Sequence, residues 1–118
     1  MKKIYYLSSC NTCMRIINEI SLPEDFILQD IKTEPITLEQ IEQMRALTDS
    51  YESLFSKRAR LYKELELKDK SLTEVDYKNY ILEHYTFLKR PVLLYNNQIF
   101  IGNSKKTVAA AKTAIHAQ

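Results

Sequence analysis

The sequence predicts a mixed α/β fold: a small sheet built in the order strand–helix–strand, then helices, then strand–strand–helix. Three observations carry this reading. A short apolar run rich in β-formers, Lys2-Lys3-Ile4-Tyr5-Tyr6-Leu7, opens the chain and hands over to a helical pattern. Near the other end, two apolar runs joined by Asn96-Asn97 read as a hairpin, because asparagine tolerates the positive φ of such turns. Between these regions, over about 37–86, helix-start signals and helical stripes replace alternation.

The first run is a buried strand. After it, Cys13, Ile16, Ile17 and Ile20 fall at helical spacing, which puts Cys13 on the buried face and leaves Cys10 in the first turn. Leu22-Pro23 stops that helix. Asp25 to Ile31, with Phe26, Ile27 and Leu28, reads as a second strand, and a unit of this length predicts a right-handed parallel βαβ. Thr33-Glu34-Pro35 breaks it. Thr37 with Gln40 is a capping-box signature ahead of Leu38, Ile41, Met44 and Leu47, and Asp49 with Glu52 repeats it ahead of Leu54 and Phe55. A short helical pattern runs through Leu61, Tyr62 and Leu65. Thr73 then caps a helix with Tyr77, Tyr80, Ile81 and His84 on one face. Arg90-Pro91 leads into Val92–Tyr95 and, past the Asn-Asn turn, Gln98–Ile101. Gly102 and Asn103 end that run, and Ser104 caps a last helix carrying Val108, Ala111 and Ile115. This order matches a thioredoxin-like fold, one domain over 1–118 with a helical insertion over about 37–86.

Composition narrows the function. The 118 residues suffice for a core without staples, and the formal net charge of +2 argues against direct nucleic-acid binding. The eight tyrosines are scattered over all elements and read as packing. No run of eighteen apolar residues spans a membrane, and no secretory leader precedes the first strand. Two cysteines in such a chain point to the reducing cytoplasm, where C-x-x-C serves redox chemistry more than structure.

That pair, Cys10-Asn11-Thr12-Cys13, is the chemical centre of the sequence. A helix start offers N–H groups without intrahelical partners and a partial positive charge, which favour thiolate over thiol. Cys10 is the expected nucleophile. Cys13, one turn further in, is placed to close a disulfide onto it and release what it has captured. Two other readings stand beside this one. A zinc half-site needs two more ligands, and only His84 and His116 remain, so no metal is expected. Two ordinary buried thiols are the other. Arg58 and Arg90 are the candidate cations for the thiolate or a bound anion, while Lys57, Arg60, Lys63, Lys105 and Lys106 read as solvated. His84 reads as a satisfied, half-buried side chain. Asn11 and Thr12, between the cysteines, and Pro91, at the start of a strand, are the expected substrate contacts.

These residues resemble the arsenate reductase ArsC/Spx family, thioredoxin-like proteins with a helical insertion. The likeness runs from Ile4-Tyr5-Tyr6 through Cys10-Asn11-Thr12-Cys13, Leu54-Phe55-Ser56-Lys57-Arg58 and Leu88-Lys89-Arg90-Pro91-Val92 to Ile101-Gly102-Asn103. It implies a cis Pro91, attack by Cys10 on a small oxyanion such as arsenate, and an anion-holding role for Arg90. It also implies no bound cofactor, with glutathione, glutaredoxin or a thioredoxin-type donor supplying electrons. The other two arginines of the reductases would fall at Ser56 and Gly102, with Arg58 two residues on. Cys10-x-x-Cys13 and Ser56-x-Arg58 are similar to the Spx side of the family. There the pair is a redox switch, the arginine aligned with Arg58 supports the oxidised form, and the partner is the C-terminal domain of the RNA polymerase α-subunit. Thr48-Asp49-Ser50-Tyr51-Glu52 lacks the glycine used at that contact. The resemblance implies a thiol oxidoreductase first and a redox-sensing regulator as the alternative.

Overall fold

The structure is a computed structural model, and it describes residues 1–117. The chain forms two compact units, Met1–Glu34 with Arg90–Gln118, and Pro35–Lys89. Among the described residues, no helix is long and apolar enough to cross a membrane.

The first unit is a four-stranded sheet: β1 (Lys2–Tyr6), β2 (Ile27–Asp30), β3 (Val92–Tyr95) and β4 (Gln98–Ile101), in the order β2-β1-β3-β4. β1 runs parallel to β2 and antiparallel to β3, which pairs antiparallel with β4. Parallel strands need a long crossover. Helix α1 (Asn11–Ile20) supplies it, and the C-terminal helix α5 (Lys105–His116) completes the unit. Cys13, Ile16 and Ile20 are the buried side of α1; Val108, Ala111 and Ile115 are that of α5. The isoleucines, with Val108 and Ala111, pack on Ile4 and Leu93 in one core, as helical spacing demands. Ser104 caps α5 by accepting from the Thr107 N–H, and Asn96 takes φ 55° in the two-residue turn.

Two boundaries move from the sequence expectation. α1 stops at Ser21, in the left-handed region at φ 57°, before Leu22-Pro23 is reached. The second strand shrinks to Ile27–Asp30, because the Phe26 N–H bonds back to the Pro23 carbonyl and its ring turns into the core. β2 is then an edge strand, with Ile27 and Leu28 61% and 47% exposed. Its inward residue is Gln29, 2% exposed, whose amide donates to the Glu34 carbonyl at 2.9 Å.

The second unit, holding the segment expected to be helical, contains α2 (Leu38–Ala46), α3 (Arg60–Glu64), α4 (Glu74–Glu83) and 3₁₀ turns at Glu52–Leu54, Leu67–Asp69 and Tyr85–Phe87. Complete capping boxes start α2 (Thr37 with Gln40) and α4 (Thr73 with Asp76). The predicted Asp49–Glu52 box does not form. Glu74 reaches over instead, accepting from the Tyr51 N–H at 2.7 Å and the Glu52 N–H at 3.2 Å. Nor does His84 share the α4 face: it ends the helix in extended conformation and accepts from the Thr86 N–H. The centre of this unit is Phe55, whose ring meets those of Tyr62, Tyr77, Tyr80 and Phe87 at centroid distances of 4.8–6.4 Å.

Candidate functional site

The site is built where β1 hands over to α1. A turn closed by the Cys10 N–H on the Leu7 carbonyl, at 3.0 Å, carries the chain over Ser8 and Ser9. Cys10 is the residue before the helix proper, its N-cap (φ −96°, ψ 111°), rather than a member of the first turn. Capping residues normally place an oxygen near the first N–H groups; here a sulfur occupies that place. Its side chain makes no cap hydrogen bond.

Ionisation changes the balance. Partial burial of Cys10 opposes its charge and is the largest single influence. It is outweighed by the Cys13 N–H, the Cys13 thiol, the Thr12 N–H and the Arg90 guanidinium, so the Cys10 pKa lies below its ordinary value. Cys13 is fully buried. Burial first, then the neighbouring Cys10 as hydrogen-bond partner and charge, push its thiol up to about 11, against the Leu7 N–H and Arg90. One turn of helix therefore holds two thiols displaced in opposite directions. Both are free.

Arg90 stands two residues before β3, and the Arg90–Pro91 peptide is cis, as the resemblance implied. Pro91 is buried, and its carbonyl accepts from the Gly102 N–H at 2.9 Å. The structure thus gathers Cys10, Thr12, Cys13 and Arg90, with Pro91 next in the chain to Arg90. Asn11 is the exposed first residue of α1. Arg58 belongs to the second unit, exposed in the turn before α3, and is not among the groups that act most on either thiol.

One contact at this loop had no signal in the sequence. Ser8 donates its hydroxyl to the Asp30 carboxylate at the end of β2, 22 residues away. No spacing rule links a loop serine to a strand-end aspartate. The parallel pairing of β1 and β2 is what sets them side by side.

The ArsC family model matches residues 5–111 of the chain. The global transcriptional regulator Spx of Bacillus subtilis is 24% identical over 112 residues, covering 92% of this chain and 84% of that protein. Spx of Lactiplantibacillus plantarum is 27% identical over 109 residues, covering 89% and 81%. Among solved structures, an arsenate reductase from Vibrio cholerae has a TM-score of 0.77 at 17% identity, covering 93% of this chain and 96% of that one. An arsenate reductase (ArsC) related protein from Brucella melitensis has a TM-score of 0.69 at 18% identity, with 92% of each chain covered. The fold is that of the ArsC thioredoxin-like proteins. With Spx regulators among its sequence relatives and arsenate reductases among its structural neighbours, the chain belongs to the ArsC family.

Proposed function

We propose that this chain is a thiol-dependent oxidoreductase of the arsenate-reductase-like kind, with Cys10 as nucleophile and Cys13 as resolving thiol. The observation that supports it is the opposed displacement of the two thiols within one helical turn, one eased towards thiolate and the other held protonated near 11. A dithiol built for attack and release needs that inequality, because only one sulfur should react with substrate.

The steps follow from the residues. The Cys10 thiolate attacks the central atom of a small oxyanion such as arsenate. A sulfur–arsenic bond forms and one oxygen leaves, protonated, as water. The Cys10 charge disappears, and with it two of the influences that raised Cys13, while Arg90 continues to favour the Cys13 thiolate. Cys13 then loses its proton and attacks the Cys10 sulfur. A disulfide forms, the sulfur–arsenic bond breaks, and its electron pair reduces arsenate to arsenite. Glutathione or a thioredoxin-type dithiol, delivered by glutaredoxin or thioredoxin in the cytoplasm, reduces the disulfide and is itself oxidised. No bound cofactor enters this scheme. Arg90 holds the oxyanion, and Asn11, Thr12 and Pro91 are its proposed contacts.

The test is arsenate-dependent NADPH consumption, coupled through glutathione and glutaredoxin, for wild type and Cys10→Ser. Turnover that vanishes in Cys10→Ser supports the reductase. Absent turnover, in protein able to form the Cys10–Cys13 disulfide, sinks it.

The second reading is an Spx-like redox switch that binds the C-terminal domain of the RNA polymerase α-subunit. The likeness to Spx regulators over 92% of the chain favours it. A switch is oxidised once and changes its affinity; an enzyme consumes reductant continuously. Binding of that domain, compared between the reduced and oxidised chain, separates the two.

A further inference from the structure

We infer that Ser8 and Asp30 form a positioning pair for the reactive cysteine: the Ser8 hydroxyl, donated to the Asp30 carboxylate, holds the turn that presents Cys10 at the head of α1. This rests on Cys10 being the working thiol and adds a residue pair outside the C-x-x-C segment to its machinery.

The geometry runs from the sheet outward. Asp30 is the last residue of β2 and pairs in register with Tyr6, the last residue of β1. The next N–H, of Ile31, bonds the Tyr6 carbonyl at 2.9 Å, so the backbone at Asp30 is fastened to β1. Its side chain is held as well. One carboxylate oxygen accepts from the Lys32 N–H at 3.2 Å, and the other takes the Ser8 hydroxyl. Ser8 is the first of the two residues carried over the Leu7–Cys10 turn. The turn is therefore pinned at its base by the Cys10 N–H and at its crest by Asp30.

What the pin protects is backbone orientation. The Cys10 thiolate is stabilised by the N–H groups of Cys13 and Thr12 only while Cys10 keeps its extended N-cap conformation. A turn without the hydroxyl pin, left with the Leu7–Cys10 bond and the Ser8 N–H beside Asp30, would spend part of its time with the sulfur away from those donors. Ser8 touches neither sulfur in this arrangement: its hydroxyl points to the carboxylate. It is a positioning residue. Ser8, first among its neighbours, also keeps the Asp30 carboxyl below its ordinary pKa, so Asp30 remains an acceptor at neutral pH.

The experiment reads the pH midpoint of iodoacetamide alkylation at Cys10, located by mass spectrometry, in the full chain. Thermal unfolding is followed in parallel. Wild type should titrate below the ordinary thiol value of about 8.5. Ser8→Ala should raise the midpoint by about one pH unit, the scale of one hydrogen bond lost to the charged form, at nearly unchanged unfolding temperature. Ser8→Thr, which keeps the hydroxyl, should restore it, and Asp30→Asn, which keeps an oxygen acceptor, should shift it less than Ser8→Ala. A Ser8→Ala midpoint equal to a low wild-type midpoint overturns the pair while leaving the reactive-thiol reading intact. Failure of Ser8→Thr to restore the midpoint also overturns it. A wild-type midpoint at the ordinary value removes both readings together.

Discussion

The two units of this chain solve the packing problem differently. The sheet unit spreads its core over eight buried side chains from β1, α1, β3, α5 and the approach to β2, most of them aliphatic. The helical unit gathers four rings around Phe55 and ties its short elements together with main-chain bonds, such as Ser56 N–H to the Phe87 carbonyl at 2.7 Å and Lys89 N–H to the Leu54 carbonyl at 2.9 Å. A distributed core tolerates the loss of any one member. The helical unit also buries Ile41, Met44, Leu54, Leu67 and Leu88, but its rings meet at Phe55, whose loss touches them all. The two thiols sit on the sheet unit, on a loop between a central strand and its helix, where the frame holds two sulfurs in unequal surroundings.

The sharpest way to break this contrast is Phe55→Ala. Removing the ring should cost about 3–5 kcal/mol in urea unfolding, and more than Ile16→Ala in the sheet unit, where about 2–5 kcal/mol is the usual range. Amide exchange in Phe55→Ala should accelerate over residues 35–89 first. Equal costs for the two substitutions would dissolve the distinction.

The next effect belongs to the sheet unit and is read by pH. Cys13 titrates near 11 in the folded chain against an ordinary 9.0, and Tyr5 near 12 against 10.0, both chiefly through burial. A raised folded pKa means that the folded state holds the proton more tightly. Stability is therefore complete below the unfolded value and falls as pH rises through the folded one. The alkaline loss should begin near pH 9 and amount, for Cys13, to on the order of 2 kcal/mol by pH 11. Cys13→Ala should remove the lower part of that limb and Tyr5→Phe the upper part. An unchanged limb in both would show that neither group titrates from a buried state.

Tyr5→Phe carries a second expectation. Its hydroxyl is buried and has no hydrogen-bond partner among the described residues. Deleting such a group should be neutral or stabilising by about 1 kcal/mol at pH 7, measured by urea unfolding. A clear destabilisation would show that the hydroxyl is satisfied in solution.

The smallest effect compares helix starts. Thr73→Ala removes the hydroxyl half of the capping box from α4, and Ser104→Ala a hydroxyl cap from α5. Each should cost about 1 kcal/mol, with Thr73→Ala the smaller because the residue 73 N–H still donates to Asp76. The reverse order in thermal unfolding would mean that α4 depends more on its hydroxyl cap than α5 does.

Much of this was legible in the chain. Thr37, Thr73 and Ser104 start helices in the places their spacing predicts, and Asn96 makes the expected turn. The failures share a cause. Asp49 and Glu52 have capping-box spacing, yet the N–H groups of Tyr51 and Glu52 are taken by the Glu74 carboxylate, more than twenty residues on. Ile27 and Leu28 are apolar and exposed, while Gln29 between them and Asp30 is buried, because an edge strand and a nearby turn decide burial there.

By itself, the sequence determined the order of elements, most of their boundaries, and the presence of two thiols one helical turn apart. Those features depend on interactions between residues three or four positions apart, which periodicity and caps record directly. Tertiary structure alone decided that Arg90 lies among the groups acting on Cys10 and Cys13, that Asp30 holds Ser8, and that Phe55 collects rings from three other segments. Each of those joins side chains whose separation along the chain carries no period, so only the pairing of strands and the packing of helices could bring them together.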